Sequence, residues 1–208
     1  MISRRVAIRA MIAAPVAAVI PSAFAIEYNP HRLIPHIEGE YLHVGATNFS
    51  FLTGKSLQRL KDGASVAFVA QLIVSDTPNF LIPDARAVAR FAVSYDIWEQ
   101  RFSVTKVMGG PEQNRTISHQ LAPAAENWCL DSLAIHRTDL PVDRPFYLRL
   151  DLRVEDPRDQ PGVIGESGIS LSNLVEIFSR PIRDKQDRYP SWTAGPMRLE
   201  DIFRGARG

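Results

Sequence analysis

The chain has 208 residues, 45% apolar and 23% charged, with 24 Lys plus Arg against 23 Asp plus Glu for a net charge of +1. Such a composition belongs to a folded globular chain rather than a disordered one, and the charge balance excludes a general nucleic-acid binder, which needs a clustered basic excess. A single cysteine excludes an internal disulfide and any multi-cysteine metal site.

The first 25 residues read as an export signal. Arg4 and Arg5 give a positive start, and an apolar run follows over residues 10–20. Ala23 and Ala25 put small side chains where a signal peptidase reads, so cleavage after Ala25 is expected. The apolar run falls well short of the roughly 20 residues of a membrane-spanning helix. Pro15 and Pro21 argue against a buried N-terminal helix, because each removes an N–H donor. Ser3-Arg4-Arg5-Val6-Ala7-Ile8-Arg9 resembles a twin-arginine signal, with Ala7 where that signal carries Phe or Leu. A general secretory signal fits equally, and a retained leader would make the protein membrane-tethered. The segment holds three arginines and no acid, so cleavage leaves 183 residues with a net charge of −2. That length is one domain's worth.

The remaining chain divides into an extended lead-in over 26–39, a domain over 40–179 and a basic tail over 180–208. Pro30 and Pro35 break the lead-in. Residues 41–47 suit a first strand. Residues 51–61 read as a short helix: Thr53 can cap it, Leu57 and Leu60 lie three apart, and Gly63 stops it. Residues 65–74 are nearly all apolar and β-branched, which suits a central strand covered on both faces. After a Pro- and Asn-punctuated loop, Phe91, Val93 and Tyr95 alternate with polar or small residues, and Phe102 and Val104 do the same in 101–107. The short gap between these strands makes an antiparallel hairpin.

Residues 123–135 read as a helix with Pro123 in its first turn and Ala125, Trp128, Cys129, Ser132 and Leu133 on one face. Residues 146–155 give the clearest strand, with Leu148, Leu150, Leu152 and Val154 alternating against Arg149, Asp151, Arg153 and Glu155. A loop over 156–168 leads to a helix begun by Ser170, with Leu171, Leu174, Val175 and Phe178 as its stripe. The tail carries seven basic and four acidic residues and a helical pattern only over 197–204. It reads as loosely docked, with a possible contact to anionic envelope surfaces. The expected architecture is a single α+β domain, mainly antiparallel sheet with two or three short helices packed on it.

Leu60-Lys61-Asp62-Gly63 feeds directly into Val66-Ala67-Phe68-Val69-Ala70-Gln71-Leu72, and a hairpin follows with Tyr95 on one strand and Phe102-Ser103-Val104 on the other. Over residues 41–155 this pattern resembles a family of exported bacterial proteins catalogued as a domain of unknown function. The resemblance implies an exported, β-rich domain and transfers no site residue. The chain departs from the family over 169–180, which looks helical where a Trp-containing strand would be expected.

Chemistry-bearing residues are sparse. His31, His36 and His43 fall within 13 residues. His36 and His43 would meet if the lead-in folded back on the first strand, but no spacing matches a zinc motif, and surface histidines are the simpler account. Cys129 lies on the apolar face of its helix, the usual place of a buried free thiol, with His136 two turns on. No Gly-x-Ser-x-Gly elbow or phosphate-cradling loop occurs. Tyr95, Trp98 and Phe102 cluster at the hairpin. An exposed Trp98, with Tyr95, would form a binding tip, although large aromatics more often end buried.

The expected function is a non-enzymatic binding or accessory domain exported to the periplasm or cell surface. Its partner would be an envelope protein or surface, with no nucleic acid, no cofactor, no metal and no membrane span in the mature chain. The alternative is a small periplasmic hydrolase or metal-dependent enzyme. That reading requires a pocket holding two or more of His43, His119, His136, Cys129 and Glu126 within hydrogen-bond reach.

Overall fold

The computed structural model describes residues 31–108, 111–155 and 189–205. The leader with Arg4, Arg5, Ala23 and Ala25, and the helix expected from Ser170, lie outside these residues. Among the described residues, nine strands form two antiparallel sheets. The elements in chain order are β1 (Leu33–Glu38), β2 (Tyr41–Ala46), α1 (Gly54–Lys61), β3 (Val66–Ser75), β4 (Ala85–Asp96), β5 (Arg101–Val107), β6 (Arg115–Gln120), α2 (Ala122–Asp131), β7 (Ile135–His136), β8 (Phe146–Val154), β9 (Trp192–Met197) and α3 (Leu199–Gly205). A three-stranded sheet runs β1-β2-β7 and a six-stranded sheet runs β6-β5-β4-β3-β8-β9. The fold is α+β with a mainly antiparallel sheet, as the alternation in the sequence requires.

β3 is the spine. It pairs with β4 over Val66↔Val93 to Val74↔Ala85 and with β8 over Phe68↔Val154 to Ser75↔Tyr147. Its even-numbered residues Val66, Phe68, Leu72 and Val74 are almost wholly buried, and so are Val69, Gln71, Ile73 and Ser75 on the other face. This is why its sequence shows no alternation: neither side chain direction meets water. β8 does alternate, and Phe146, Leu148, Leu150 and Leu152 point into the core. The core lies between this face of the large sheet and the layer made by the small sheet, α1 and α2. Phe51 stands edge-on to Phe68 with ring centroids 4.7 Å apart, and Trp128 meets Phe91 at 6.2 Å. Each large apolar side chain buried here contributes about 1.5–3 kcal/mol.

The structure departs from the local reading of the sequence at several points. Leu33–Glu38, read as part of an extended lead-in, pairs along its length with β2, from Leu33↔Ala46 to Glu38↔Tyr41. Its inward Leu33 is buried and Ile37 packs partly buried against the core, which supplies the reason: apolar side chains seat the strand. The helix over 123–135 ends at Asp131, and Ile135–His136 joins the small sheet as β7. Arg115–Gln120 forms an edge strand, β6, with no buried residue and hence no apolar pattern in its sequence. Trp192–Met197, read as part of a loosely docked tail, completes the large sheet beside β8. Trp192 is 1% exposed and its Nε1 donates to the Thr47 carbonyl at 2.9 Å. Thr53 takes the N-cap position of α1 with extended φ and ψ, but its side chain makes no capping hydrogen bond.

Candidate functional site

The β4–β5 hairpin carries the candidate site. Its register closes at Asp96↔Arg101, leaving residues 97–100 as the turn. Asp96 Oδ1 accepts from the backbone N–H of Trp98 at 2.8 Å and of Glu99 at 3.0 Å. One short carboxylate therefore satisfies two turn amides, the arrangement that makes Asp favourable at such corners. Gln100 closes the turn at φ 54°, in the left-handed region. The turn is consequently defined, and it holds Trp98 with 95% of its surface exposed.

Two more apolar side chains flank it, Ile97 at 55% exposure and Leu121 at 57%. Leu121 follows β6, whose end lies beside the hairpin because Gln120 pairs with Phe102. The side chains of His119 and Glu99 bridge β6 to the turn, so Glu99 is engaged locally. Tyr95 is placed differently from Trp98. It is half-buried at the base of the hairpin, its ring tilted on Phe102 with centroids 4.8 Å apart. The hairpin thus divides the predicted pair: Trp98 faces solvent and Tyr95 braces the strand. Ile97 and Leu121 had no detectable signal in the sequence, since a single apolar residue at a turn or before a helix has no period.

A second apolar tip lies at the other end of β4. Leu81 and Ile82 are each 79% exposed in the β3–β4 loop, and Val142 is 69% exposed. Arg144 pairs with both Asp76 and Asp84 and so ties the loop before β8 to this one. Arg149 covers the Phe80 ring at 4.7 Å.

The histidines do come together in part. His36 and His43 are opposite each other on β1 and β2, their rings stacked with centroids 5.8 Å apart. Tyr41 stands edge-on to His136 at 5.2 Å and to His43 at 6.5 Å. Among the described residues, no group of three or more His, Cys, Asp or Glu side chains is placed to hold a metal ion. His31 instead packs edge-on against Trp192.

The groups required by the enzymatic alternative are dispersed. Glu126 is 3% exposed, and its Oε1 accepts from Phe51 N at 2.7 Å, Leu52 N at 2.8 Å and Ser50 Oγ at 3.1 Å. Its carboxylate is used in holding the segment that leads into α1. Cys129 is 1% exposed, and burial, then the nearby Glu126 charge, push its thiol far above the ordinary range. A thiol so placed is a poor nucleophile. His119 bonds Glu99, and His136 Nδ1 bonds the Thr138 hydroxyl at 2.7 Å. A cleft of about 290 Å³ is lined by Asp84, Ala85, Arg86, Ala134, Ile135, His136 and Asp139. Of the five required residues only His136 reaches it.

No helix among the described residues is long and apolar enough to cross a membrane. No protein-family model, curated protein or solved structure matches the chain.

Proposed function

We propose that the protein is a non-enzymatic binding or accessory domain of the bacterial cell envelope, exported to the periplasm or cell surface, which engages an envelope protein through Trp98. The observation that carries this reading is the 95% exposure of an indole on a turn fixed by its own side-chain hydrogen bonds. Leaving so large an apolar surface in water opposes solubility and adds nothing to the fold. An indole on a rigid turn loses little conformational freedom on binding, which is what makes tryptophan a frequent centre of interface energy. Ile97 and Leu121 extend the apolar contact. Asp96 and Glu99 are occupied by the turn and by His119, so little unpaired charge opposes it. The fitting partner is a protein with an apolar pocket deep enough for an indole and a polar rim. The leader supports export, and the dispersal of His43, His119, His136, Cys129 and Glu126 favours binding over catalysis.

The test is capture of cross-linked partners from intact envelopes by wild type and by Trp98→Ala. The substitution touches no core contact and should change stability by no more than about 0.5 kcal/mol. Loss of an interface centre of about 2 kcal/mol would cut affinity roughly thirtyfold. Undiminished capture by the variant would refute the site. N-terminal sequencing of protein from the envelope fraction should give Ile26, and a start at Met1 would refute cleavage of the leader.

A further inference from the structure

The β3–β4 loop is uncharged and apolar at its tip, where residues 77–83 read Thr-Pro-Asn-Phe-Leu-Ile-Pro. Leu81 and Ile82 are each 79% exposed, and Val142 of the loop before β8 is 69% exposed. Arg144 joins the two loops through Asp76 and Asp84. Three branched aliphatic side chains therefore stand at one end of the large sheet.

The loop is built to hold its tip in place. Asn79 Oδ1 accepts from Thr77 Oγ1 at 2.8 Å and from Leu81 N at 3.1 Å. Phe80, at φ 54°, donates its N–H to the Thr77 carbonyl at 3.3 Å. Ser75 Oγ donates to the Ile82 carbonyl at 3.1 Å. A backbone group that leaves water without a partner costs free energy. The N–H groups of Phe80 and Leu81 and the carbonyl of Ile82 keep their partners inside the loop, so these three groups can leave water at little cost.

The size and chemistry of the tip select what covers it. Its three exposed side chains present on the order of 400 Å², about half of the roughly 800 Å² that each partner buries in a standard protein interface. Leucine and valine are uncommon as centres of interface energy, unlike Trp98 at the other end of β4. A fluid hydrocarbon surface needs no shaped pocket to receive such side chains. The charges beside the tip set the kind of surface. Arg144 is matched by Asp76 and Asp84, and Asp143 adds an exposed acid. These groups carry no basic excess, so the attraction is hydrophobic and does not depend on anionic lipid.

We propose that Leu81, Ile82 and Val142 insert into the surface of a lipid bilayer, as far as the boundary between headgroups and acyl chains. β4 has 12 residues, which separates this tip from the Trp98 turn by about 40 Å. Both ends can be engaged at once, and neither assignment depends on the other.

The test places an environment-sensitive dye on the full chain. Cys129 is buried, so Ile82→Cys offers a single exposed thiol for labelling. Dye at position 82 should shift to the blue on phosphatidylcholine vesicles, at low and high salt alike, and be quenched by lipid with a spin-labelled acyl chain. Dye on Trp98→Cys, at the opposite end, should do neither. With the dye on Val142→Cys, a second substitution Leu81→Asp should weaken the vesicle-induced shift at least tenfold in lipid concentration and leave thermal unfolding unchanged. An unshifted dye at position 82 would overturn the proposal, and so would equal shifts at 82 and 98. A shift that requires phosphatidylglycerol and vanishes at high salt would replace insertion with electrostatic adsorption. A shift that appears without vesicles and grows with protein concentration would assign the tip to a second copy of the chain.

Discussion

Glu126 is the residue whose loss should cost most without any change in volume of the core. Its carboxylate is the acceptor for two buried backbone N–H groups, those of Phe51 and Leu52. Glu126→Leu would leave both donors in an apolar environment, and we expect a loss of about 3 kcal/mol, read as a lower urea midpoint. Cys129, one turn along the same helix, makes a pH prediction. Burial, and secondly the Glu126 charge, raise the folded-state pKa of the thiol above its unfolded value. The folded state then keeps a proton that the unfolded state releases above about pH 8.5. The associated stability is complete below that pH and declines as pH rises, by up to about 1.4 kcal/mol per pH unit. Cys129→Val should flatten the alkaline limb of the stability profile by that amount relative to wild type. Native Cys129 should also react with thiol reagents far more slowly than in urea.

The most constrained element is β9. Its register against β8 shifts between Phe146↔Met197 and Leu148↔Ala194, so the strand must bulge. Gly195 sits in the bulge at φ 120°, and a Cβ there would lie 2.8 Å from the Phe146 carbonyl oxygen and 2.9 Å from Tyr147 Cα. Only glycine fits, on both conformational and steric grounds. Gly195→Ala should destabilise the protein by about 1–3 kcal/mol, measured by thermal unfolding. The elements also differ in how plainly their sequences announce them. β8 shows its alternation because one face meets the core and the other is half-wet. β5 and the β4–β5 hairpin follow from the same period. β6 has no apolar signature because nothing in it is buried, and β7 has only two residues. β9 contains Gly195 and Pro196, both of which read as breakers, although an edge strand tolerates them where ladder bonds are not needed.

For the molecule as a whole, the ends of the described chain belong to the fold. Arg32 bridges to Thr193, and β1 lies against β9, so the segment before β2 and the segment after residue 188 support each other. Trp192 is fully enclosed by this arrangement, with Phe49 5.0 Å away and His31 on another side. Removing residues 189–208 would take away Trp192, worth about 3–5 kcal/mol alone. It would also uncover the edge of β8 over residues 146–150. Against a typical total of about 5–15 kcal/mol, the truncated chain should lose cooperative thermal unfolding and near-ultraviolet circular dichroism. A merely appended tail would leave both unchanged.

The sequence by itself determined the class of fold, the spine strand β3, the hairpin, the buried place of Cys129 and the spacing that lets His36 meet His43. Each of these rests on local period or on residue type, which a chain displays before it folds. Tertiary structure decided what depends on partners distant in sequence. It seated β1 through Leu33, made β9 a sheet strand through Trp192 and spent Glu126 on the amides of a loop 74 and 75 residues away. It also decided that Trp98 faces water while Tyr95 does not, because no periodicity governs a turn and only the closure at Asp96↔Arg101 fixes where its side chains point. Leu81 and Val142 belong to loops far apart in sequence, and only the register of β8 against β3 and the ion pairs of Arg144 bring those loops to one end of the sheet.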